Sequence, residues 1–586
     1  MKNNSHRYFK PLAISLIVGS LLPACSTQEN NANLQNKAVQ LNIELVGRAV
    51  LSTNGSPEGA AEIVQYHKAS NSIYAINSSG KVATVEILNL NAMEKNSLIK
   101  NVEGVVTNTN LKISNTLDLT IETSGDANSI AISEDLNLLA VAIAAKKIGN
   151  KGHIAFYDIS NEIPKFIKNV EAGFLPDMVA FSPDNSKVIV ANEGEPNGDY
   201  SIDPEGSISI ININAGIIAN KATELNFNYY DNKQKELEAQ GVMFANPSGR
   251  VIKGNLISTT VSMDLEPEYV AVTEDSATAY ISMQENNAMA VVDLTSNRLV
   301  KIIGLGFKDW SQLNIDASDK DGGINFKKYE NLYGMYQPDT IASYNWDNKD
   351  YIVTANEGDG REYFFDSANK ASCFNEGGLD YDKDDGCLAY TDESRAKKLT
   401  LDPINFANIK NDNSDLGRLK VSTVKGDIDN DGDFDELYTY GARSFTIWDK
   451  DGNVIFDSGD EIALITAKIH GKAFNNDEDE NKGDTRSDAK GAEPEALALG
   501  TINNRKYAFI GLERMSGVMV YDITEPSESK FVDYFYNRGT VKGEAISGDL
   551  APEGMKFIAA TETTPARLLI GNEISGSVAV WEIQVK

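Results

Sequence analysis

The stretch PDMVAFSPDNSKVIVANE at residues 176–193 decides the fold of this chain. A Pro-acid pair opens it, an apolar strand and a polar turn follow, and a second apolar strand ends in Asn-Glu. A third strand, SISIINI, comes at residues 207–213. The phrase returns as PEYVAVTEDSATAYISMQE at 267–285 with MAVVDL at 289–294, and as PDTIASYNWDNKDYIVTANE at 338–357. Short runs rich in Val, Ile, Ala and Tyr, bounded by Asp, Asn, Gly and Pro, are typical of β-strands.

Four further copies bring the number of repeats to seven. Two lie towards the C-terminus, at residues 494–523 and 552–583, and two less regular ones lie at 61–77 and 128–143. Repeats of one small antiparallel sheet bury their faces against one another, so the sequence predicts an all-β, seven-bladed β-propeller over residues 41–586. The rival array is a β-solenoid, whose repeats are shorter and more even than these.

Charge and composition limit the partners of this protein. The chain has 54 basic and 85 acidic residues, a formal net charge of −31, and four histidines. Such a charge disfavours nucleic acid and anionic membrane surfaces as partners and favours divalent cations. So few histidines make a zinc or haem site a poor fit.

The N-terminus reads as an export signal. Residues 1–25 hold a basic start, an apolar run at 11–22 and the sequence Leu-Pro-Ala-Cys, which resembles a bacterial lipobox. Cys25 would carry the lipid, and Ser26 after it favours the outer membrane by resemblance to lipoprotein sorting. The polar residues 26–40 would then form a tether. An ordinary cleaved signal peptide with a chance cysteine is the alternative.

The remaining cysteines are Cys373 and Cys387, which are close in sequence and enclose an irregular stretch. In an exported protein such a pair predicts a disulfide, with two free thiols as the alternative. Both lie in the longest insertion, residues 358–443, which separates the second and third strands of one repeat. Long loops on a rigid scaffold often carry function, although they also cover strand edges.

Acidic residues recur at two positions of the repeat. Because the first two strands form a hairpin, the start of the first and the end of the second lie at one face. We expect the acids there to surround the channel mouth and to bind calcium, or alternatively to cap loop amides. The candidates are Asp177, Glu268, Asp339, Glu495 and Glu553 at first strands, and Glu193, Glu285, Glu357, Glu513 and Glu573 after second strands.

A separate calcium loop is predicted within the insertion. Asp427, Asp429, Asp431, Asp433 and Asp435 alternate with other residues in the pattern D-x-D-x-D-G-x-x-D, and Gly432 permits a sharp turn. An EF-hand would place Glu at the twelfth position, where this chain has Tyr438, so the loop is of another type.

Basic residues border the acidic motifs of the same face. The candidates for binding phosphate or sulfate are Arg361, Arg443, Arg486, Lys490 and Arg514. Pairing with the neighbouring acids is the alternative use of these side chains.

Several phrases of the chain resemble the choice-of-anchor I family. They include LPDMVAFSPD, ANEGEPNGDYSIDPEGSISII, TANEGDGREY, GARSFTIWD, RSDAKGAEPEALALG and GLERMSGVMVYDI. The family includes bacterial surface proteins and the mesenchyme-specific cell-surface glycoproteins of biomineralising animals, and its members attach by different anchors. Some relatives carry alkaline-phosphatase or phytase-like labels, but the resemblance assigns no catalytic residue.

The sequence therefore favours a lipid-anchored, extracytoplasmic, calcium-binding propeller that acts as a cell-surface interaction protein. It would contact the membrane only through its lipid. The alternative is a calcium-dependent phosphoesterase, in which metal ions polarise a phosphate ester and the basic residues hold its oxygens.

The anchor prediction can be tested on Cys25. We expect Cys25→Ala to release the protein from the membrane fraction or to leave the precursor unprocessed, because no thiol remains to accept the lipid. Fractionation with immunoblotting and intact mass measurement check this. A mature, membrane-bound Cys25→Ala protein would show that the lipobox interpretation is wrong.

Overall fold

The computed structural model describes residues 40–51, 57–80, 82–119, 125–478 and 480–586. Cys25, the predicted signal peptide and all but the last residue of the predicted tether lie outside these ranges.

The strands up to the start of the long insertion are, in chain order, β1 (Leu41–Val50), β2 (Ala60–His67), β3 (Ser72–Asn77), β4 (Thr84–Asn89), β5 (Asn115–Asp118), β6 (Ala127–Ser133), β7 (Leu138–Ile143), β8 (Lys151–Asp158), β9 (Lys165–Phe174), β10 (Pro176–Phe181), β11 (Lys187–Asn192), β12 (Ser207–Asn214), β13 (Ile217–Ile218), β14 (Thr223–Asn226), β15 (Val251–Ile252), β16 (Asn255–Leu256), β17 (Val270–Val272), β18 (Thr278–Met283), β19 (Ala288–Asp293), β20 (Arg298–Gly304), β21 (Phe307–Asp309), β22 (Leu332–Met335), β23 (Ile341–Trp346) and β24 (Lys349–Asn356).

The later strands are β25 (Glu362–Phe365), β26 (Asp380–Asp382), β27 (Gly386–Thr391), β28 (Glu393–Arg395), β29 (Lys420–Ser422), β30 (Leu437–Thr439), β31 (Ser444–Asp449), β32 (Val454–Asp457), β33 (Pro494–Ile502), β34 (Arg505–Leu512), β35 (Gly517–Asp522), β36 (Lys530–Tyr536), β37 (Pro552–Ile558), β38 (Ala566–Asn572) and β39 (Ser577–Val585).

Helices are few and short. The α-helices are α1 (Gln234–Glu238), α2 (Val261–Asp264), α3 (Lys370–Asn375) and α4 (Glu461–His470), and the 3-10 helices are Leu90–Ala92, Asn228–Tyr230, Ala396–Lys398, Leu416–Arg418, Gly471–Ala473 and Pro526–Glu528. Among the described residues, no helix combines the length and the apolar composition that crossing a lipid bilayer requires.

The strands form repeated antiparallel sheets, which confirms the predicted all-β class. Within the described ranges, seven sheets share the order first, second, third and outer strand. They are β2-β3-β4-β5, β6-β7-β8-β9, β10-β11-β12 with β13 and β14, β17-β18-β19-β20, β23-β24-β31-β32, β33-β34-β35-β36 and β37-β38-β39-β1.

The first strands of these sheets contact one another in sequence. β2 touches β6, β6 touches β10, β10 touches β17, β17 touches β23, β23 touches β33, β33 touches β37, and β37 touches β2. A cavity of about 320 Å³ lies among them, lined by side chains such as Gln65, Ala131, Ala180, Leu497 and Lys556.

The hydrophobic cores lie between neighbouring sheets. In β24, Ile352 packs into the core shared with the β17–β20 sheet, whereas the next residue, Val353, packs into the core shared with the β33–β36 sheet. Successive residues of a strand point to opposite faces, so both faces of this sheet are buried. That is why the strands read as unbroken apolar runs instead of alternating with polar residues.

The longest insertion leaves the scaffold after β24 and returns at β31. It forms the small sheets β25-β27-β26 and β28-β29, and Cys373 and Cys387 form a disulfide within it. Both cysteines are fully buried in a local core with Tyr200 and Tyr363.

The two ends of the scaffold meet in one sheet. β1 pairs antiparallel with β39 from Leu41↔Val585 to Val50↔Ser577. Near the end of β1, Arg48 is 4% exposed and donates from Nε to Asp549 Oδ1 at 2.6 Å. The same guanidinium donates to the carbonyl oxygens of Thr107 and Gly548.

Removing Arg48 should weaken this closure. We expect Arg48→Met to lower the free energy of unfolding by about 3–5 kcal/mol, because Asp549 would stay buried without its cation. Denaturant unfolding followed by fluorescence measures this. Lys112→Met is the matched control, because Lys112 contacts Glu94 at 4.0 Å with 85% and 65% of the two side chains exposed. Equal effects of the two substitutions would contradict the proposed importance of the buried pair.

Candidate functional site

The repeat places carboxylates at one edge of the sheets. Asp177, Glu495 and Glu553 are the second residues of β10, β33 and β37, and Asp339 lies two residues before β23. In each of β10, β33 and β37 the pairing register shifts just after this position. Such a bulge bends the strand locally and re-aims the side chain beside it.

The second set of acids meets the first through strand pairing. The opening prolines of β10, β33 and β37 pair with the last residues of β11, β34 and β38. Glu193, Glu513 and Glu573 come directly after those last residues. Hairpin geometry therefore brings both sets to one edge, as the sequence suggested.

Five of these carboxylates, Asp177, Asp339, Glu495, Glu553 and Glu573, line a cavity of about 440 Å³. We call the seven carboxylates among its lining residues the acidic mouth: Glu62, Asp126, Asp177, Asp339, Glu495, Glu553 and Glu573. Ser78, Asn128, Met178 and Tyr269 also line the cavity, and its described lining contains no basic side chain. Glu62 and Asp126 were not singled out from the sequence, although Glu62 occupies the acid position of an irregular repeat copy.

Burial and crowding in the acidic mouth raise the pKa values of several of its carboxyl groups. Burial, followed by the charges of Glu573 and Glu553, raises the pKa of Glu62 to about 8. Burial also raises the pKa values of Asp177 and Glu553 to about 7 each. Burial, followed by the charges of Glu513 and Glu553, also raises the pKa of Glu495. Near neutral pH such a mouth either holds protons or draws in a cation.

One trio of carboxylates has the spacing of a metal site. Oxygen atoms of Asp339, Glu357 and Glu495 lie within 4.8 Å of one another. Glu495 Oε2 is buried and receives no hydrogen bond from an N–H or O–H group of the described residues. Hard cations such as calcium take six to eight oxygen ligands, which a carboxylate trio and water together can supply.

A second trio shares Glu357 with the first. Oxygens of Glu357, Glu493 and Glu513 also lie within 4.8 Å of one another. Glu493 was not identified from the sequence. The signal that could have revealed it is its place directly before Pro494, where Glu266 precedes Pro267 in another repeat.

Three of the predicted basic residues converge on this second trio. Arg486 donates to Glu493 Oε1 at 2.8 Å, and Arg514 donates to Glu493 Oε2 at 2.9 Å. Lys490 donates to Glu357 Oε1 and lies 3.4 Å from Glu493 Oε2. The three cations therefore offset the three carboxylates.

Arg361 does not contact the second trio and pairs instead with two buried acids, Asp264 and Glu266. It is 4% exposed and donates to the Asp264 carboxylate and, at 2.6 Å, to Glu266 Oε2. Nearby, the Glu268 carboxyl hydrogen-bonds to Glu285, and burial raises the pKa of Glu285 to about 7. Burial, followed by the charges of Glu195 and Asp177, raises the pKa of Glu193, so this predicted acid lies near Asp177 of the acidic mouth.

Arg443 supports a loop and does not face the mouth. Its N–H groups donate to the carbonyl oxygens of Asp316, Ser487 and Ala489 at 2.9, 2.9 and 2.6 Å. The last two carbonyls belong to the loop that carries Arg486 and Lys490. Arg443 therefore helps to place the two basic side chains of that loop.

The aspartate-rich loop folds into two overlapping trios. Asp427, Asp429 and Asp435 form one, and Asp433 and Asp435 join Asp402 in the other. The N–H of Gly432, at φ +98°, donates to Asp427 Oδ2 at 3.1 Å, and the N–H of Asp431 faces Asp429.

Asp402 was missed by the sequence analysis because it comes from an earlier segment. The bridge between Leu401 and Phe434 brings it to the loop.

Comparison with known proteins gives one family and two curated relatives. The family described as the choice-of-anchor I domain matches residues 62–526. A mesenchyme-specific cell surface glycoprotein of Strongylocentrotus purpuratus is 32% identical over 298 residues, which cover 48% of this chain and 38% of that protein. Gigasin-3a of Magallana gigas is 28% identical over 185 residues, which cover 29% of this chain and 65% of that protein.

Among solved structures, Kuenenia stuttgartiensis hydrazine synthase is similar with a TM-score of 0.44 and 12% identity. The match covers 92% of this chain and 100% of that one.

The crowded carboxyl groups predict a pH-dependent stability in the absence of divalent cations. The folded protein holds the Glu62 proton up to about pH 8, whereas the unfolded chain releases it near 4.5. Stability is therefore lost as pH rises between these values. One pKa unit corresponds to about 1.4 kcal/mol, and screening in the partly exposed mouth reduces this.

We expect Glu62→Gln to stabilise the protein by about 1–2 kcal/mol at pH 8 and by less at pH 5, because the amide carries no charge. Thermal unfolding in chelator at both pH values measures the difference. Glu236→Gln on the exposed surface of α1 is the control. A gain that is equal at the two pH values would contradict the crowding explanation.

Proposed function

The chain belongs to the choice-of-anchor I family, and from this premise we propose that it is a surface-associated, seven-bladed β-propeller whose acidic mouth binds calcium. Its role is binding and interaction at the cell surface, and the mouth is the face that carries this role.

The ring of contacts among first strands supports the blade number. Each of the seven repeated sheets touches the next through its first strand, and the last touches the first. Packed cores between neighbouring sheets supply the interactions that radial repetition requires.

Three observations support a position outside the cytoplasm. The Strongylocentrotus purpuratus relative is named a cell surface glycoprotein. Cys373 and Cys387 form a disulfide, a bond that persists in oxidising compartments. The sequence before the propeller reads as a lipoprotein signal, and attachment through Cys25 belongs to this proposal.

The Asp339–Glu357–Glu495 trio is the observation that carries the cation site. Its oxygens are close enough to share one ion, and Glu495 Oε2 has no protein donor. The acidic mouth beside it contains no basic lining residue among those described, so a bound ion would relieve repulsion there. An all-carboxylate set with room for water suits calcium, because magnesium demands a stricter octahedral geometry.

The loop with Asp427, Asp429 and Asp435 would hold a separate calcium ion. This loop lies in the insertion, where an ion would fix the backbone of a segment rich in like charges. Its role in the proposal is structural, because the aspartates already accept from the loop's own backbone: Gly432 N–H donates to Asp427 and Ile428 N–H donates to Asp435.

The binding role is favoured over the phosphoesterase because the basic residues of this face contact carboxylates of the same chain. A phosphoesterase would need N–H groups directed at a phosphoryl group. The described donors of Arg486, Lys490 and Arg514 instead contact Glu493, Glu357 and Glu478.

The experiment is calcium titration of the detergent-purified full chain by calorimetry and equilibrium dialysis. We expect Glu495→Gln to weaken one class of calcium sites at least tenfold, because it removes a charged ligand. Asp429→Asn with Asp431→Asn should abolish a different class. Saturating calcium should raise the melting temperature of the wild type, since an ion at 100 times its Kd stabilises the native state by about 2.7 kcal/mol.

The control variant and the assay for the alternative function use the same kind of purified protein. Glu171→Gln, an exposed position on the outer strand β9, should leave both classes of sites unchanged. Hydrolysis of p-nitrophenyl phosphate should stay at background with calcium present. Chelator-sensitive hydrolysis that is lost in Arg486→Ala would replace the binding role with the phosphoesterase, and calcium binding unaltered by Glu495→Gln would remove the proposed mouth site.

A further inference from the structure

We propose that Glu357, Glu493 and Glu513 form a second divalent-cation position beside the first, and that the ammonium group of Lys490 occupies it as a built-in competitor. The inference deepens the proposed function, because the two positions share Glu357. It predicts that these two neighbouring positions together hold one ion in the wild type and two when Lys490 is neutralised.

The surroundings of Lys490 are those of a bound cation. Its Nζ lies 2.5 Å from Glu357 Oε1, 3.4 Å from Glu493 Oε2 and 3.5 Å from Asp359 Oδ1. The Lys490 side chain is 13% exposed, and that of Glu493 is fully buried. An exposed lysine usually contacts one acid loosely, whereas this amine is enclosed by three carboxylates.

One carboxylate oxygen of this position, Glu513 Oε2, has no partner among the described residues. Glu513 is 8% exposed, and its Oε1 lies 3.1 Å from a nitrogen of Arg514. Its Oε2 is buried and has no hydrogen-bond partner among the described residues. Lys490 therefore satisfies part of an oxygen cluster that has capacity for a further cationic contact.

The charge of the cluster also explains why Lys490 excludes a metal ion. Glu357, Glu493 and Glu513 carry three negative charges, and Arg486, Arg514 and Lys490 carry three positive ones. Asp359, Asp477 and Glu478 also contact these three cations, so the neighbourhood as a whole is acidic. A divalent ion entering this position would nevertheless meet a fixed ammonium at short range. Without Lys490 the neighbourhood loses one positive charge, which favours a divalent cation at the vacated position.

The backbone fixes the position of the ammonium group. Gly491, directly after Lys490, has φ +77°, and a side chain there would approach Arg443 Cδ to 3.2 Å. Arg443 in turn holds the carbonyl of Ala489, directly before Lys490. The lysine is thus set by a tight turn clamped on a buried arginine, which limits its freedom to leave the cluster.

This arrangement limits the two neighbouring positions to one bound metal ion. Two ions about 3.5–4 Å apart with a shared carboxylate would resemble the two-metal sites of many hydrolases. With Lys490 in the second position, Glu357 can bridge one ion and one amine only. The chain would therefore carry the ligands of a paired metal site while lacking its second ion.

The test compares Lys490→Met with wild type by equilibrium dialysis against calcium. Methionine keeps the apolar stem and removes the charge, and we expect one additional calcium ion per chain. Lys490→Arg should show no gain, because it keeps the positive charge. Lys472→Met, an exposed lysine in the 3-10 helix Gly471–Ala473, is the control for charge alone and should also show none.

Adding Glu513→Gln to Lys490→Met should abolish the gained ion but not the first one. The inference is overturned if Lys490→Met binds no more calcium than wild type, or if its extra ion survives Glu513→Gln. If Lys490→Met does not fold in chelator, its yield of folded protein is measured after adding calcium or potassium. Folding with calcium but not with potassium supports the second position, and no folding with calcium refutes it.

The proposed function is judged separately in this experiment. Loss of calcium binding on Glu495→Gln in wild type tests the first position, and the gain on Lys490→Met tests the second. A wild type without a mouth ion, combined with a gain in Lys490→Met, would refute the former and keep the latter.

Discussion

Burial of both faces of the seven repeated sheets is the constraint on which the rest of the structure depends. A four-stranded sheet with apolar residues on both sides needs a neighbour on each side, and contacts among the first strands run from each sheet to the next until the last meets the first. The same packing forces the starts of the first strands together. Because those starts carry acids, the apolar cores bring like charges close to one another, at an energetic cost that packing offsets.

The repeat explains why much of this could be predicted. Strand pairs and the shared edge of Asp177 and Glu193 follow from a hairpin pattern that recurs in the sequence, and hairpins are local. The acids that sequence reasoning missed, Glu493 and Asp402, come from connections, where no periodicity indicates which segments meet. Likewise, the sequence showed that Arg361 borders the acidic motifs, but only the fold shows that Asp264 takes up its guanidinium.

The acids at this edge of the sheets divide into a compensated group around Glu493 and an uncompensated group, the acidic mouth. Around Glu493 every carboxylate has a cation from the same chain, and the loop that delivers those cations is clamped by Arg443. Around Glu553 the acids face one another and their pKa values rise. A protein can tolerate such an uncompensated group when protons or cations from solution neutralise it. The local stability then depends on the pH and on the cation concentration.

The pairing of β1 with β39 has a mechanical consequence for a protein held by its N-terminus. A pull on the chain before Leu41 would act first on the end of β1 that pairs with Val585. Arg48 lies nearer the other end of β1, and its guanidinium is held by Asp549 and two carbonyl oxygens. That clasp is the point at which tension on a tether would be borne by the body of the protein.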